Sequence, residues 1–330
     1  MQQTSLALFW KENRTSVFRI SKLVHVVASL SLVAGIVAAQ TIAPTPAKPA
    51  PIGRLVDVGG YRVHLYCTGQ GSPTVMIAGA AFSFDWALIQ PEVAKFTRVC
   101  SFDPSGTAWS DPYPFTGDAP TCEHRVEELH NLITRIPIEG PYMLVGFSTG
   151  ALWTRLYAIE HPDNIKGMVI VDHAFLGSSD DTSRRASPRP HSYTPPVLIS
   201  KAPIAMSYED DPNFSRLPER DQQLHRWAVS QHPLKPGEAM VNDCIAHIEQ
   251  LTAQHAHLLG DLPLIVISTP NAATGYAELQ ASLLALSGNS RQKIAQNSSH
   301  RVIIDRPDVV IQAIQEIIND LRQPVELKAH

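Results

Sequence analysis

The chain has 330 residues, of which 44% are hydrophobic and 18% charged, so it can build a sizeable core and is not a disordered chain. The net charge is −4, and no cluster of Lys and Arg provides the basic surface that nucleic-acid binding needs. The length fits one large α/β domain as well as two smaller ones.

The first 39 residues have the order of a secretory leader. Basic side chains precede Leu23, an apolar run continues to Ala39, and Val37-Ala38-Ala39 supplies the small residues of a cleavage site. An uncleaved signal-anchor is the alternative, because the basic region is long for a cleaved signal and the apolar run of 17 residues is at the short end of what can span a membrane. The sequence thus predicts an exported protein, periplasmic or secreted, or one that the N-terminal segment anchors to the membrane.

A Pro/Ala-rich linker is predicted over residues 40–52, and the folded domain over residues 53–330. Four cysteines lie in that domain, and an even count in an exported chain permits disulfides, with buried free thiols as the alternative. They are Cys67, Cys100, Cys122 and Cys244.

The domain alternates predicted strands and helices in chain order. Two short strands joined by Gly59-Gly60 form a hairpin. The predicted elements that follow are the strands Thr74–Ala78, Arg98–Phe102, Tyr142–Val145, Gly167–Val171, Leu264–Ser268 and Gln292–Ala295, and the helices Phe84–Phe96, Thr121–Ile136, Ala151–Glu160, Tyr276–Leu286 and Asp308–Leu321. This order predicts a mostly parallel sheet with helices on both faces. A polar, Pro-rich interruption is interpreted as an inserted helical lid, about residues 174–260, whose apolar side chains either cover an acyl pocket or pack the lid onto the core.

The segment Gly146-Phe147-Ser148-Thr149-Gly150 lies between a predicted strand and a predicted helix. This is the context of the G-x-S-x-G turn that carries a serine nucleophile. Glycine at both ends avoids a collision in the strained turn. We therefore predict Ser148 as the nucleophile.

A serine hydroxyl needs a base, which in this arrangement comes late in the chain. Among 14 histidines, His300 follows the last predicted strand and precedes the last helix, so it is the predicted base. His173 lies next to a candidate acid but is not the predicted base. His255 and His257 are two residues apart, so a metal site there is not favoured.

The acid that orients the histidine has two candidates. After Leu264–Ser268, the usual location, no carboxylate occurs until Glu278, whereas Asp172 directly follows Gly167–Val171. We predict Asp172, with Glu278 second. Asp103 and Asp305 are interpreted as structural carboxylates.

An oxyanion hole needs two backbone N–H groups that point at the developing charge. The residue after the nucleophile, Thr149, is predicted to supply one. The other is predicted from Ala80, in the loop after the strand Thr74–Ala78.

The chain resembles the α/β-hydrolase superfamily, in particular its bacterial serine hydrolases of the fold-1 type. The resemblance runs from about Arg54 to Leu321 and rests on HLYCTG, RVCSFDPSGTAWSD, GPYMLVGFSTGALWTRLYAIEHP, GMVIVD and SSHRVIIDRPDVVIQAI. It implies an eight-stranded sheet, the nucleophile at Ser148 and the base at His300, and relatives with the acid after the sixth strand match Asp172. The chain departs from the family pattern at three positions, which are Phe147, Pro104 and Ser299.

These residues predict an exported serine hydrolase that acts on carboxylic esters through an acyl-enzyme, with a small acyl compound as substrate and no cofactor or metal. A peptidase, an amidase or an acyltransferase would use the same triad. A ligand-binding protein without catalysis on the same fold is the remaining alternative. Serine at position 148 argues against haloalkane dehalogenases and epoxide hydrolases, which need aspartate there.

Overall fold

The structure is a computed structural model, and it describes residues 48–114, 120–173, 212–231, 238–252, 257–270 and 275–323. The predicted leader at residues 1–39 lies outside these residues, as do most of the linker and residues 174–211 of the predicted lid. The residues from Pro46 onward form one compact unit. Among the described helices, none is long and apolar enough to cross a membrane.

Eight strands form one sheet in the order β1-β2-β4-β3-β5-β6-β7-β8. The strands are β1 Arg54–Asp57, β2 Arg62–Thr68, β3 Thr74–Ala78, β4 Val99–Asp103, β5 Tyr142–Phe147, β6 Ile165–Val171, β7 Leu264–Ser268 and β8 Ser290–Ile294. Strands β1 and β2 pair antiparallel with each other, and β2 pairs antiparallel with β4. All other pairs are parallel, which confirms the predicted fold class.

The described helices are α1 Gln90–Val93, α2 Cys122–Arg135, α3 Gly150–Glu160, α4 Glu219–Gln231, α5 Glu238–Thr252, α6 Tyr276–Leu284, α7 Val302–Asp305 and α8 Pro307–Arg322. The prediction of one helix over Phe84–Phe96 is wrong. A 3₁₀ helix, Ser83–Trp86, comes first, and the short α1 follows it. Pro91 lacks the N–H that a helix interior needs, and its ring would collide with the preceding turn, so it is tolerated only at the start of α1.

Alternate residues of the central strands lie on opposite faces of the sheet, as strand geometry requires. Met76 and Leu144 pack in the core that includes Leu156 of α3. Their neighbours Val75 and Val145 pack in a second core that includes side chains of α1 and α8. Helices therefore cover both faces, and the carboxyl ends of the parallel strands meet at one edge.

Helix α5, which the sequence places in the lid, packs against α2 and α3. Its Cys244 is bonded to Cys122 at the start of α2, and Asp243 accepts a hydrogen bond from the Cys122 backbone N–H at 2.9 Å. A second disulfide joins Cys67 to Cys100 across the β2–β4 pair. All four cysteines are thus bonded in the structure, and the alternative of buried free thiols does not apply.

Candidate active site

Ser148 lies in a tight turn between β5 and α3 with a left-handed backbone, φ = 54°. Its backbone N–H donates to the carbonyl of Val171 at the end of β6, at 3.1 Å, which fixes the turn against the neighbouring strand. A Cβ at Gly146 would overlap Thr154 Oγ1 and come within 2.6 Å of Ala151 Cα. Helix α3 can therefore begin directly behind the serine only because position 146 has no side chain.

His300 lies between β8 and α7 and hydrogen-bonds the serine. Its Nε2 is 2.8 Å from Ser148 Oγ, and its Nδ1 is 2.6 Å from Asp172 Oδ2. The side chain of His300 is 41% exposed, whereas that of Asp172 is 4% exposed. The carboxylate is thus buried in the protein, while the imidazole is partly exposed to solvent.

Asp172 has a second set of partners on its other oxygen. The hydroxyl of Tyr276 donates to Asp172 Oδ1 at 2.5 Å, and Thr269 Oγ1 donates to the same atom at 3.2 Å. The backbone N–H of Thr269 donates to the Tyr276 oxygen at 2.9 Å. Burial, with the Asp172 carboxylate second, raises the pKa of Tyr276 to about 12, so its hydroxyl stays protonated and remains a donor.

Phe147, which departs from the family pattern, lies beside the imidazole. Its ring stacks on His300 with centroids 5.2 Å apart and an interplanar angle of 28°. The ring of Trp86 meets Phe147 edge-on at 6.2 Å. Tertiary packing thus limits the rotation of His300 from one side while Asp172 fixes it from another.

The two segments predicted to supply the oxyanion hole are in contact. Ala80 follows β3 with φ = 55°, and Thr149 precedes α3. A Cβ on Gly150 would lie 2.5 Å from Gly79 Cα, so no side chain fits between the loop and the start of the helix. The backbones next to Ala80 and Thr149 are thus in close contact, and these two residues stay the predicted donors of an oxyanion hole.

The remaining candidates do not join this group. Glu278 lies on the exposed face of α6, and Asp103 is buried beside His64 at 2.8 Å. His173 is buried next to Asp172. His257 is exposed, while His255 lies outside the described residues. No group of three or more His, Cys, Asp and Glu residues that could hold a metal occurs in the described part of the chain.

Sequence reasoning missed the residues that support the site from a distance. Tyr276 and Thr269 reach Asp172 from the β7 side, and no local motif marks them. Asp305, interpreted only as a structural carboxylate, accepts hydrogen bonds from the Ser299 backbone and hydroxyl. The one sequence signal for its role is that Asp305 lies five residues after His300.

The sequence model of the family described as "alpha/beta hydrolase fold" matches residues 75–261, more than half of the chain. The protein named "Uncharacterized protein YqjL" from Bacillus subtilis (strain 168) is 27% identical over 279 residues, which cover 82% of this chain and 93% of that protein. The 2-hydroxymuconate semialdehyde hydrolase of Pseudomonas sp. (strain CF600) is 30% identical over 134 residues, 39% of this chain and 46% of that one.

Solved structures share the fold at low identity. A thermophilic esterase from Thermogutta terrifontis has a TM-score of 0.57 at 18% identity, covering 82% of this chain and 99% of that chain. An epoxide hydrolase from Vigna radiata has a TM-score of 0.59 at 15% identity, covering 81% of this chain and 97% of that chain. The family match, the sheet order and the turn around Ser148 agree, and the chain belongs to the α/β-hydrolase fold family.

Proposed function

We propose that this protein is a serine esterase in which Ser148, His300 and Asp172 are the catalytic triad. The observation that carries the proposal is the continuous hydrogen-bonded path from Ser148 Oγ through the imidazole to the buried carboxylate. In this arrangement Asp172 keeps the hydrogen of His300 on Nδ1. Nε2 is then free to accept the serine proton.

The reaction would proceed in two halves. Ser148 Oγ attacks the ester carbonyl while His300 Nε2 takes its proton, and the tetrahedral oxyanion accepts hydrogen bonds from the N–H groups of Ala80 and Thr149. The intermediate collapses, the C–O bond to the alcohol breaks, and His300 returns the proton to that alcohol. Water then attacks the acyl-enzyme with the same histidine as base, and the acid and free Ser148 are released.

The residue types narrow the reaction class. A carboxylate nucleophile, which would open an epoxide or displace a halide, has no counterpart at position 148. An acyl-enzyme on serine suits esters first, because an alcohol is a better leaving group than an amine. Peptidase, amidase and acyltransferase activities remain alternatives on the same triad.

A second candidate rests on the sequence relatives. Three of them are named as hydrolases of 2-hydroxymuconate semialdehyde or of 2-hydroxy-6-oxo dienoic acids, and each covers 37–39% of this chain. This chain could act on a related dienoate through the same serine. Loss of the dienoate chromophore on mixing with the protein, absent for Ser148→Ala, would favour this reaction over simple ester cleavage.

The test of the esterase proposal is hydrolysis of p-nitrophenyl esters from acetyl to palmitoyl by the purified protein and by Ser148→Ala. We expect serine-dependent turnover with an optimum chain length that reports the size of the acyl site. Ser282→Ala is the matched control, because Ser282 is an exposed serine on α6 and its loss should leave turnover unchanged. Equal turnover by the wild type and Ser148→Ala would overturn the proposal.

We also propose that the protein is exported, periplasmic or secreted, or held at the membrane by residues 1–39. The leader pattern supports this location, and so do the two disulfides, since such bonds persist in oxidising compartments. Fractionation of expressing cells should place the protein outside the cytoplasm. An intact mass that matches a chain starting after Ala39 would indicate cleavage. A mass that matches the full-length chain, found in the membrane fraction, would indicate an anchor. Recovery in the cytoplasm with free thiols would contradict export.

A further inference from the structure

Two carboxylates, Asp85 and Asp305, each hold one of the loops of the candidate site and are bonded in the same way. Asp85 belongs to the 3₁₀ helix after the oxyanion loop, and Asp305 ends α7 after the His300 loop. Each uses Oδ2 to hold a loop that carries catalytic groups. Each uses Oδ1 to accept a hydrogen bond from residues 212–231, which we name the cap segment.

Asp85 holds the oxyanion loop. Its Oδ2 accepts the backbone N–H groups of Ala81 and Phe82 at 3.1 and 3.0 Å, directly after Ala80. Its Oδ1 is 2.7 Å from Nδ1 of His225 on α4, and both side chains are fully buried. Because a carboxylate accepts hydrogen bonds, His225 is the donor in this pair. A buried pair of this kind is costly to break, since one polar partner would be left without compensation.

Asp305 holds the histidine loop. Its Oδ2 accepts the backbone N–H of Ser299 at 2.8 Å and the Ser299 hydroxyl at 2.7 Å, one residue before His300. Its Oδ1 accepts from the side-chain amide of Asn213 at 2.7 Å. Arg216 adds hydrogen bonds to the carbonyls of Ile304 and Asp305 at 2.6 and 2.9 Å. The N-terminal part of the cap segment is thus bonded to the α7 end of this loop.

Packing joins the two halves of the cap segment into one body. The rings of Phe214 and His225 meet at 5.4 Å, so the element near Asp305 contacts the helix near Asp85. Trp227 of α4 packs on Trp109 with centroids 5.2 Å apart, in a cluster that also contains Phe82. These contacts show that the described apolar face of α4 is used to dock the cap segment on the core.

We propose that Asp85 and Asp305 are positioning residues through which the docked cap segment sets the oxyanion loop and the histidine loop in their reactive geometry. The inference rests on the proposed serine chemistry and adds a dependence that the triad does not itself require. When the cap segment is docked, the Ala80 N–H and the His300 imidazole are both fixed relative to Ser148. When either bridge is lost, one of the two drifts, and displacements of about 1 Å cost on the order of 10²-fold in rate.

The experiment compares His225→Leu, which removes the donor to Asp85, with His225→Asn, which keeps an N–H near the position of Nδ1. Asn213→Ala removes the donor to Asp305 at a half-buried site and so keeps the test available if His225→Leu does not fold. Gln223→Ala is the matched control, because Gln223 is an exposed residue of the same helix. Thermal unfolding verifies that each variant is folded at the assay temperature.

Two readouts separate positioning from a purely structural role. The first is kcat and KM on the best p-nitrophenyl ester. The second is the rate at which a fluorophosphonate labels Ser148, in which the Oγ–P bond forms, the P–F bond breaks and His300 takes the hydroxyl proton. Labelling needs both loops, yet it does not require that the natural substrate be an ester.

For His225→Leu and Asn213→Ala we expect kcat and the labelling rate to fall together by about 10- to 100-fold. KM should change little, and His225→Asn should recover most of the loss. Unchanged kcat with a raised KM would overturn the inference, because the cap segment would then act in substrate binding alone. A wild-type protein that labels but does not cleave esters would refute only the proposed substrate class, whereas one that never labels would refute both proposals.

Discussion

Replacing Asp172 with asparagine keeps the shape of the side chain and reverses the donor and acceptor of its hydrogen bond with His300. In Asp172→Asn the amide oxygen takes the place of Oδ1 and still accepts the hydrogen bonds from the hydroxyls of Tyr276 and Thr269. The amide NH2 group then replaces the oxygen that lies 2.6 Å from His300 Nδ1. His300 can accept that bond only with its hydrogen on Nε2, and in this tautomer it cannot take the serine proton.

The expected loss follows from this tautomer change. A triad with the wrong histidine tautomer loses on the order of 10⁴ in kcat, which corresponds to about 5 kcal/mol of activation free energy. The assay is steady-state hydrolysis of a p-nitrophenyl ester. Urea unfolding should show that the variant is folded, because the substitution is isosteric and keeps the Tyr276 bond.

Glu278→Gln is the matched control, since Glu278 is the other acid that the sequence offers and its side chain is exposed on α6. We expect it to retain wild-type kcat. If Asp172→Asn kept more than about a tenth of wild-type kcat while Glu278→Gln lost activity, the assignment of the acid and the tautomer argument would both be refuted.

Three further predictions concern the surroundings of the site. Tyr276→Phe should lower the free energy of unfolding by about 2 kcal/mol, because it removes a buried hydrogen bond to a charged group; urea titration measures this, and an unchanged midpoint would contradict it. Replacing both Cys122 and Cys244 with alanine should lower stability by about 2–4 kcal/mol, because the bond closes a loop with a sequence separation of 122; equal thermal midpoints would refute this. Burial raises the pKa of Asp305, but the hydrogen bonds from the Ser299 side chain and backbone outweigh it and hold that pKa below the ordinary 3.8. The stability that Asp305 adds through its charge is therefore present above about pH 4 and is lost as the pH falls through its folded pKa. The difference in unfolding free energy between wild type and Asp305→Asn should thus narrow from pH 6 to about pH 3. A difference that widens over this range would contradict the lowered pKa of Asp305.

Local patterns were enough to predict three residues that the structure brings together, Ser148, His300 and Asp172. The turn around Ser148 is encoded within five residues, because glycine at positions 146 and 150 is what allows β5 and α3 to meet at Ser148. The choice of Asp172 over Glu278 followed from the order of the elements, since of these two acids only Asp172 directly follows a strand. The structure places Asp172 in contact with His300, as that reasoning requires.

Contacts between distant segments were not predictable from the same patterns. Asp85 and His225 are 140 residues apart, and Asn213 and Asp305 are 92 apart, so no periodicity or spacing relates them. The helix predicted over Phe84–Phe96 failed for a different reason. Its apolar residues suggested one helix, but Pro91 is tolerated only at the start of a helix. A 3₁₀ helix precedes it, in which Asp85 accepts the backbone N–H groups of Ala81 and Phe82.

The most direct test of the account is the site of covalent modification by a fluorophosphonate. The protein should gain the mass of one phosphonyl group, and peptide mapping should place it on Ser148. In His300→Ala, which lacks the base, the rate of labelling by the fluorophosphonate should fall by several orders of magnitude. Modification of a different residue, or undiminished labelling of Ser148→Ala, would contradict the claim that Ser148 is the nucleophile.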